Sequence, residues 1–532
     1  MFAFIKDSDT RSWVSGVIGS LIIFLTLGCV KEPVLETPPD IVVIIADDIG
    51  YSDFGCYGGE TGTPEIDKLA ANGIRFTQFY VENMCNPTRT ALLTGQYHLK
   101  GYSNPHNITI AEGLAMKGYK NYAVGKWHNY GENFDKYDAR NAPRERGFDH
   151  FYGTPMGAGS FFAPLRLSRD GQDIEEEWQN DEDFYYTDAI ADNAVRYISQ
   201  APPDTPLYLH VAFTAAHWPL HAKEEDIKKQ SGKYDIGWDS LRGIRYERMK
   251  QLGVISPDTR LSERDPNVPA WEDVEDKAWQ VRRMEVYAAQ ISSMDRGIGR
   301  IMEALKSSGR LENTLLMIMV DNGGCHVEYD TERKGSFLND STRDGRPLVP
   351  GNIPGLMPGT EETFQSYGYG WANLSNTPFR LFKQYSHEGG IKVPLIVHWP
   401  AAIPGKGLIT GELAHVTDIL PTLFDAAGVQ YPEKFQDREI SPPDGRSMLP
   451  LLQGKETGER QYLCWSHNHG QAVRKGKWKL VRQDKRPWEL YDLIADPSER
   501  NDLAEKNHEI VIELEALFQQ WLKEQENGFA NL

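Results

Sequence analysis

The chain has 532 residues, too many for one small core, and its 40% hydrophobic and 25% charged residues are those of an ordinary globular protein of two or more domains. A formal net charge of -19 argues against a nucleic-acid backbone as the main partner, so no nucleic acid is expected. It leaves room for an anionic substrate, because local basic residues set the field inside a cleft.

The first 29 residues differ from the rest. Lys6 and Arg11 precede an apolar stretch, residues 13–27, that ends in Gly28-Cys29. This reads as an export signal, since the apolar core is short and isolated for a membrane-spanning helix. Gly-Cys at its end resembles a bacterial lipoprotein cleavage site, with Cys29 as the lipidated first residue. Thr26, Asp7 and Asp9 depart from that pattern, and a plain cleaved signal or an uncleaved anchor is the alternative. Residues 30–39, with Pro33, Pro38 and Pro39, read as a tether. The expectation is an exported protein of the periplasm or cell surface that touches membrane only through its N-terminal lipid. The five cysteines, Cys29, Cys56, Cys85, Cys325 and Cys464, follow no zinc spacing and suggest no disulfide-built fold.

Residues 40–46 form a continuous β-branched run, as a strand buried on both faces does, and the run ends in Asp47-Asp48. Adjacent carboxylates there are costly unless a cation or hydrogen bonds satisfy them, a helix cap or turn being the alternative. The arrangement recurs. Residues 121–125 lead into Lys126-Trp127-His128, residues 206–213 lead to His217, and residues 314–320 end in Asp321-Asn322. Residues 393–399 are a fifth strand, and helices are expected at 187–199 and 281–307. Strands alternating with helices predict an α/β sheet covered on both faces, with ligands outside the carboxyl ends of the strands. Singly, a histidine such as His217 is more often structural; the shared placement raises the whole set.

Residues 83–97 carry Cys85, Pro87 and Arg89 at the start of a predicted helix. Helix N-termini favour anions, and Arg89 can project toward the same end, so the stretch suggests an oxyanion-ester site. A buried cysteine beside a helix cap is the alternative. Two polar segments, 223–275 and 327–375, read as long loops or insertions. Their aromatic residues Trp238, Trp271, Tyr367, Tyr369 and Trp371 either stack on a substrate ring or pack locally. Residues 472–482 alternate like a half-exposed strand, and an amphipathic helix is expected over 509–526.

Cys85-x-Pro87-Thr88-Arg89-x-x-x-Leu93-Thr94-Gly95 resembles the signature of the sulfatase family. The likeness continues in family order through Asp47-Asp48, Gly125-Lys126-Trp127-His128, Arg146-Gly147-Phe148-Asp149, Ala215-Ala216-His217-Trp218-Pro219-Leu220, Asp321-Asn322 and Asn376-Thr377-Pro378-Phe379-Arg380 with Lys383, over about residues 40–520. It implies an alkaline phosphatase-like mixed β-sheet sandwiched by helices (residues 40–440) and a smaller C-terminal antiparallel sheet with a packed helix (441–532). It also implies oxidation of Cys85 to formylglycine by a maturation enzyme, and metal ligation by Asp47, Asp48, Asp321 and Asn322 with the modified Cys85. An all-oxygen set suits Ca²⁺ or Mg²⁺ rather than zinc, and the resemblance favours Ca²⁺. In the implied mechanism the aldehyde hydrate attacks sulfur, and His128 acts as base in releasing sulfate. Arg89, Lys126 and Lys383 neutralise the sulfate oxygens, and His217, with Lys383, protonates the leaving alcohol. The expected substrate is a sulfated saccharide or an aryl sulfate. The alternatives are a phosphate or phosphonate ester hydrolase of the same fold, or a surface glycan-binding protein with a dead site.

Overall fold

The computed structural model describes residues 37–102, 104–129, 139–332, 337–467 and 469–530, with side chains as far as residue 525. The expected export signal, Cys29 and most of the expected tether lie outside the described residues.

An eleven-stranded mixed sheet runs through the centre. Its main strands are β1 (Asp40–Ala46), β2 (Ile74–Tyr80), β3 (Lys120–Lys126), β4 (His150–Thr154), β5 (Leu207–Ala212), β6 (Thr314–Val320) and β7 (Lys392–His398). They lie side by side in the order β2-β7-β6-β1-β5-β3-β4. From β6 to β4 all neighbours are parallel, while β7 runs antiparallel to both β6 and β2. Every residue of β1, β5 and β6 is buried, which requires cover on both faces. The helices supply it: α1 (Cys85–Thr94), α2 (Tyr186–Gln200), α3 (Gly237–Gln251), α4 (Lys277–Ser307) and α5 (Ile419–Ala427) are the longer ones before the C-terminal region. The expected strands and the helices α2 and α4 are present, α4 beginning at Lys277 rather than at residue 281.

Three expectations need correction. Residues 472–482 are not one strand but two, β9 (Gly470–Lys475) and β10 (Trp478–Gln483), which follow β8 (Leu463–His467) and precede β11 (Glu489–Asp492). Gly476, at φ 55°, makes the tight turn, and Lys475 pairs with Trp478 across it. Nor is that sheet half-exposed. One face, with Cys464, Val473, Leu480 and Leu490, packs on Leu514, Phe518 and Trp521 of helix α6 (His508–Ala530). The other, with Leu463, Trp465, Ala472 and Val481, packs on Tyr80 of the main sheet and on Ile391, just before β7.

The segment 223–275, expected to lack pattern, contains the 15-residue helix α3. Its buried side includes Arg242 and Arg245 beside Trp238, Leu241 and Met249, so charge interrupts the apolar stripe that would have marked it. Trp238, Trp271 and Trp371 pack on one another, with ring centroids 4.7 to 5.7 Å apart. Tyr367 stacks on Tyr287 at 4.3 Å. These aromatics are core, and of the five only Tyr369 is partly exposed.

Candidate active site

The parallel ladder continues past the strand ends and gathers the polar residues at one edge. Asp47 donates its N–H to the Ala215 carbonyl at 2.9 Å and accepts from the Ala216 N–H at 2.7 Å, while the Asp321 N–H reaches the Ala46 carbonyl at 3.1 Å. Trp127 and His128 extend β3 in the same way, onto Thr154 and Pro155. Asp48 and His128 then turn the chain at φ 57° and 54°, a left-handed conformation uncommon for residues with a side chain and concentrated at functional sites. Buried Arg245 of α3 fixes the turn after Asp48. It donates to Asp53 Oδ1 at 2.6 Å, and Asp53 Oδ2 accepts from the Gly50 N–H at 2.8 Å.

Cys85 is the first residue of α1, and its side chain is buried. No side chain caps this helix, so its first N–H groups remain available, and Pro87 in the first turn has no N–H to leave unsatisfied. One turn on, Arg89 donates to Asp321 Oδ2 from Nε (3.1 Å) and Nη2 (2.8 Å), and to the Lys126 carbonyl at 3.1 Å. Lys126 Nζ lies 2.6 Å from Asp47 Oδ2. Lys383 Nζ lies 2.6 Å from Asp48 Oδ1 and 3.9 Å from Cys85 Sγ. His217 donates from Nδ1 to the Trp218 carbonyl at 2.7 Å, which leaves Nε2 facing Asp48 Oδ2 at 3.4 Å. The Asn322 amide donates to Asp48 Oδ1 at 2.7 Å. His128 stands at the solvent side, partly exposed, with Gly157 packed so closely that a Cβ there would lie 2.5 Å from the imidazole. Contacts thus join Asp47, Asp48, Cys85, Arg89, Lys126, His217, Asp321, Asn322 and Lys383, and His128 follows directly on Lys126 and Trp127.

The electrostatics are uneven. Burial and the adjacent Asp321 carboxylate push Asp47 up to about 8, against Lys126 and Arg89. Burial opposes ionisation of Asp48 as well, but Lys383, His217 and Lys126 hold it below the usual carboxylate range. Burial raises the Cys85 thiol, against the pull of Lys126 and Lys383, so the unmodified residue is a poor nucleophile at neutral pH. Desolvation lowers His128, with Lys126 and Arg89 adding to the effect, and it also lowers His217, partly offset by Asp48. Lys383 stays charged because Asp48 and Cys85 outweigh its burial.

The donor set fits a hard cation. Asp47 Oδ1, Asp48 Oδ2 and Asn322 Oδ1 are buried and accept no hydrogen bond among the described residues. Ligand atoms of Asp47, Cys85 and Asp321 lie within 4.8 Å of one another, as do those of Asp47, Asp48 and His217. Unsatisfied buried acceptors are costly, and a divalent ion at this edge would relieve them.

Sequence reasoning missed two contributors. Asn83, two residues before Cys85, donates to the carbonyls of Gln384 (3.1 Å) and His467 (2.9 Å), tying the Cys85 segment to the Lys383 segment and to the C-terminal sheet. Its proximity to Cys85 was the available signal. Cys325 is buried beside Asp48, and burial together with that carboxylate pushes its thiol up to about 12. It follows Asp321-Asn322 by only a few residues.

Comparison with known proteins places this geometry. The family described as Sulfatase matches residues 39–429, and the C-terminal family of N-sulphoglucosamine sulphohydrolase matches residues 379–527. The arylsulfatase of Klebsiella aerogenes is 32% identical over 80% of this chain and 94% of its own. The N-acetylgalactosamine-6-O-sulfatase of Bacteroides thetaiotaomicron is 25% identical over 90% of this chain and 92% of its own. The crystal structure of Ps i-CgsB with k-i-k-neocarrahexaose superposes with a TM-score of 0.64 at 24% identity, covering 91% of this chain and 93% of the other, and shows the alkaline phosphatase-like fold. With a family match running from β1 to beyond Lys383, the chain belongs to the sulfatases, enzymes that hydrolyse sulfate esters.

Proposed function

We propose that this sulfatase removes sulfate from a sulfated carbohydrate, with Cys85 oxidised to formylglycine and one Ca²⁺ held by Asp47, Asp48, Asp321 and Asn322. The observation that carries the reading is the clustering of Asp47 with Cys85 and Asp321, and with Asp48, at a sheet edge where Asp47 Oδ1, Asp48 Oδ2 and Asn322 Oδ1 are buried without hydrogen-bond partners among the described residues. A cation there would polarise the sulfate, and a hydrated aldehyde would supply one hydroxyl to attack sulfur and a second whose deprotonation expels sulfate. The chain's own residues do the rest. Lys126, Lys383 and Arg89 neutralise the sulfate oxygens. His128, kept neutral, accepts a proton on the solvent side. His217 and Lys383 flank Asp48, and either can pass a proton to the leaving oxygen. Lys383 is charged and carries a proton, whereas His217, lowered by burial and holding its proton on Nδ1 against the Trp218 carbonyl, must take one up at Nε2 before it can give it.

The carbohydrate part of the reading is supported by the relative named as an N-acetylgalactosamine-6-O-sulfatase. The proposal includes maturation by a formylglycine-generating enzyme, a catalytic domain over 40–440 with a C-terminal one over 441–532, and export with lipid anchoring at Cys29. Preparations made with and without a maturation enzyme test it. Sulfate release should rise in proportion to the fraction of residue 85 that is aldehyde, read from the mass of its tryptic peptide. Full turnover from a homogeneous thiol would sink the reading.

A further inference from the structure

We propose that Tyr287 and Gln290 of helix α4 are positioning residues that fix Asp48 and His217 relative to each other, Tyr287 for calcium binding and Gln290 for proton delivery; this rests on the calcium and sulfate-ester reading above. Residues 286–291 of α4 are wholly buried, and Val286, Ala288, Ala289 and Ile291 among them are apolar. A phenol and a primary amide in such a stretch are costly unless each finds partners.

Both find them on the active-site loops. Tyr287 donates its hydroxyl to Asp53 Oδ2 at 2.8 Å and to the Asp48 carbonyl at 3.2 Å. Its ring stacks on Tyr367 at 4.3 Å, which fixes where the hydroxyl points. Gln290 donates from Nε2 to the Pro219 carbonyl at 3.1 Å and, more weakly, to the His217 carbonyl at 3.5 Å. Three residues apart, the two side chains leave α4 on the same face.

Asp48 and His217 need such a hold. The hydrogen-bonded ladder between their strands ends at Asp47, whose N–H and carbonyl pair with Ala215 and Ala216. Beyond it Asp48 turns left-handed at φ 57°, a conformation that persists only where the surroundings impose it. His217 closes a turn with its N–H on the Thr214 carbonyl at 2.9 Å. Their side chains nevertheless face each other, Nε2 to Oδ2, at 3.4 Å. One helix that grips both loops by their carbonyls keeps that spacing before any ion arrives. A metal ligand already in place adds little ordering cost on binding, and removing the group that orients it weakens metal affinity about 10–100-fold.

The test uses aldehyde-bearing, chelator-stripped enzyme. In Tyr287→Phe, which keeps the ring and loses the hydroxyl, the calcium Kd from titration calorimetry should rise roughly tenfold, and excess calcium should restore sulfate release. Gln290→Met keeps the volume and loses the amide. Its kcat/KM should fall roughly fivefold further on phenyl sulfate than on 4-nitrophenyl sulfate, because phenolate is the leaving group that most needs a proton. Gln290→Asn, with an amide one methylene short, replaces it if it does not fold. A merely structural role would lower the urea midpoint of both variants and leave the Kd and the ester ratio at wild-type values. An unchanged Kd in Tyr287→Phe overturns the hold on Asp48, and an unchanged ratio in the Gln290 variant overturns the hold on His217. If the wild type cleaves sulfated sugars but neither aryl ester, the Kd decides alone. Wild-type enzyme that binds no calcium, or that releases sulfate from no ester, refutes instead the proposed function.

Discussion

Two clusters of buried charge stand a short stretch of chain apart and behave in opposite ways. At the catalytic edge Asp47 is pushed up to about 8, whereas at the junction with the C-terminal sheet Glu388 is pulled down to about 2. Both side chains are wholly buried, so burial does not decide the sign. The neighbours do. Around Glu388, Lys479 (2.8 Å), Lys392 (3.4 Å) and the Tyr80 hydroxyl (2.6 Å) meet both carboxylate oxygens, and Lys479 also pairs with Glu499 at 2.8 Å. Asp47 has two carboxylates beside it and an oxygen that nothing among the described residues satisfies. A carboxylate whose two oxygens are both met by cations and donors, as those of Glu388 are, holds structure together. One with an unmet oxygen is a place for a ligand.

The largest expected difference is functional. Asp321→Ala should lose bound calcium and at least about 10³-fold in sulfate release, since it removes a ligand and the partner of Arg89 together. Metal analysis by mass spectrometry and a sulfate assay on one preparation check this; metal retained in full would break the contrast. Next comes stability. Lys479→Met removes the cation that Glu388 and Glu499 share, leaving Lys392 beside Glu388, and should cost about 3–5 kcal/mol in urea unfolding. Asp47→Asn in calcium-free protein relieves repulsion among carboxylates and should cost under about 1 kcal/mol.

Acid should separate the clusters further. The folded-state value of Glu388 lies near 2, below its ordinary 4.5, so its contribution is complete above about 4.5 and disappears as pH falls toward 2. Urea midpoints measured from pH 6 to pH 3 should drop in the wild type and flatten in Glu388→Gln. The smallest effect belongs to Arg474→Lys. Arg474 donates to both the Tyr80 hydroxyl (2.6 Å) and Gln78 (2.7 Å), and losing one of these contacts should cost about 1 kcal/mol. A change as large as that of Lys479→Met would mean that the network is not ordered as described.

The two clusters were not equally visible in the sequence. Asp47-Asp48 and Asp321-Asn322 each follow an unbroken apolar strand, so a local pattern places them at the sheet edge. Cys85 and Arg89 are marked by one helix start. The junction has no such signal, because Glu388, Lys479 and Glu499 come from three distant segments and meet only when folded. Helix α3 escaped because Arg245, buried and paired with Asp53, sits where an apolar residue was expected. The turn at Gly476 escaped because burial on both faces removes the contrast that separates two short strands from one long one.

The central claim is that the orphaned oxygens of Asp47, Asp48 and Asn322, with Asp321, await one calcium ion on which sulfate release depends. The direct measurement is a calcium titration of chelator-stripped enzyme already bearing the aldehyde at residue 85, with sulfate release and bound metal read at each step. The account predicts negligible turnover in the stripped enzyme, then activity that rises with calcium and levels off at one equivalent per chain. Full turnover by stripped enzyme, with no metal bound, would contradict it.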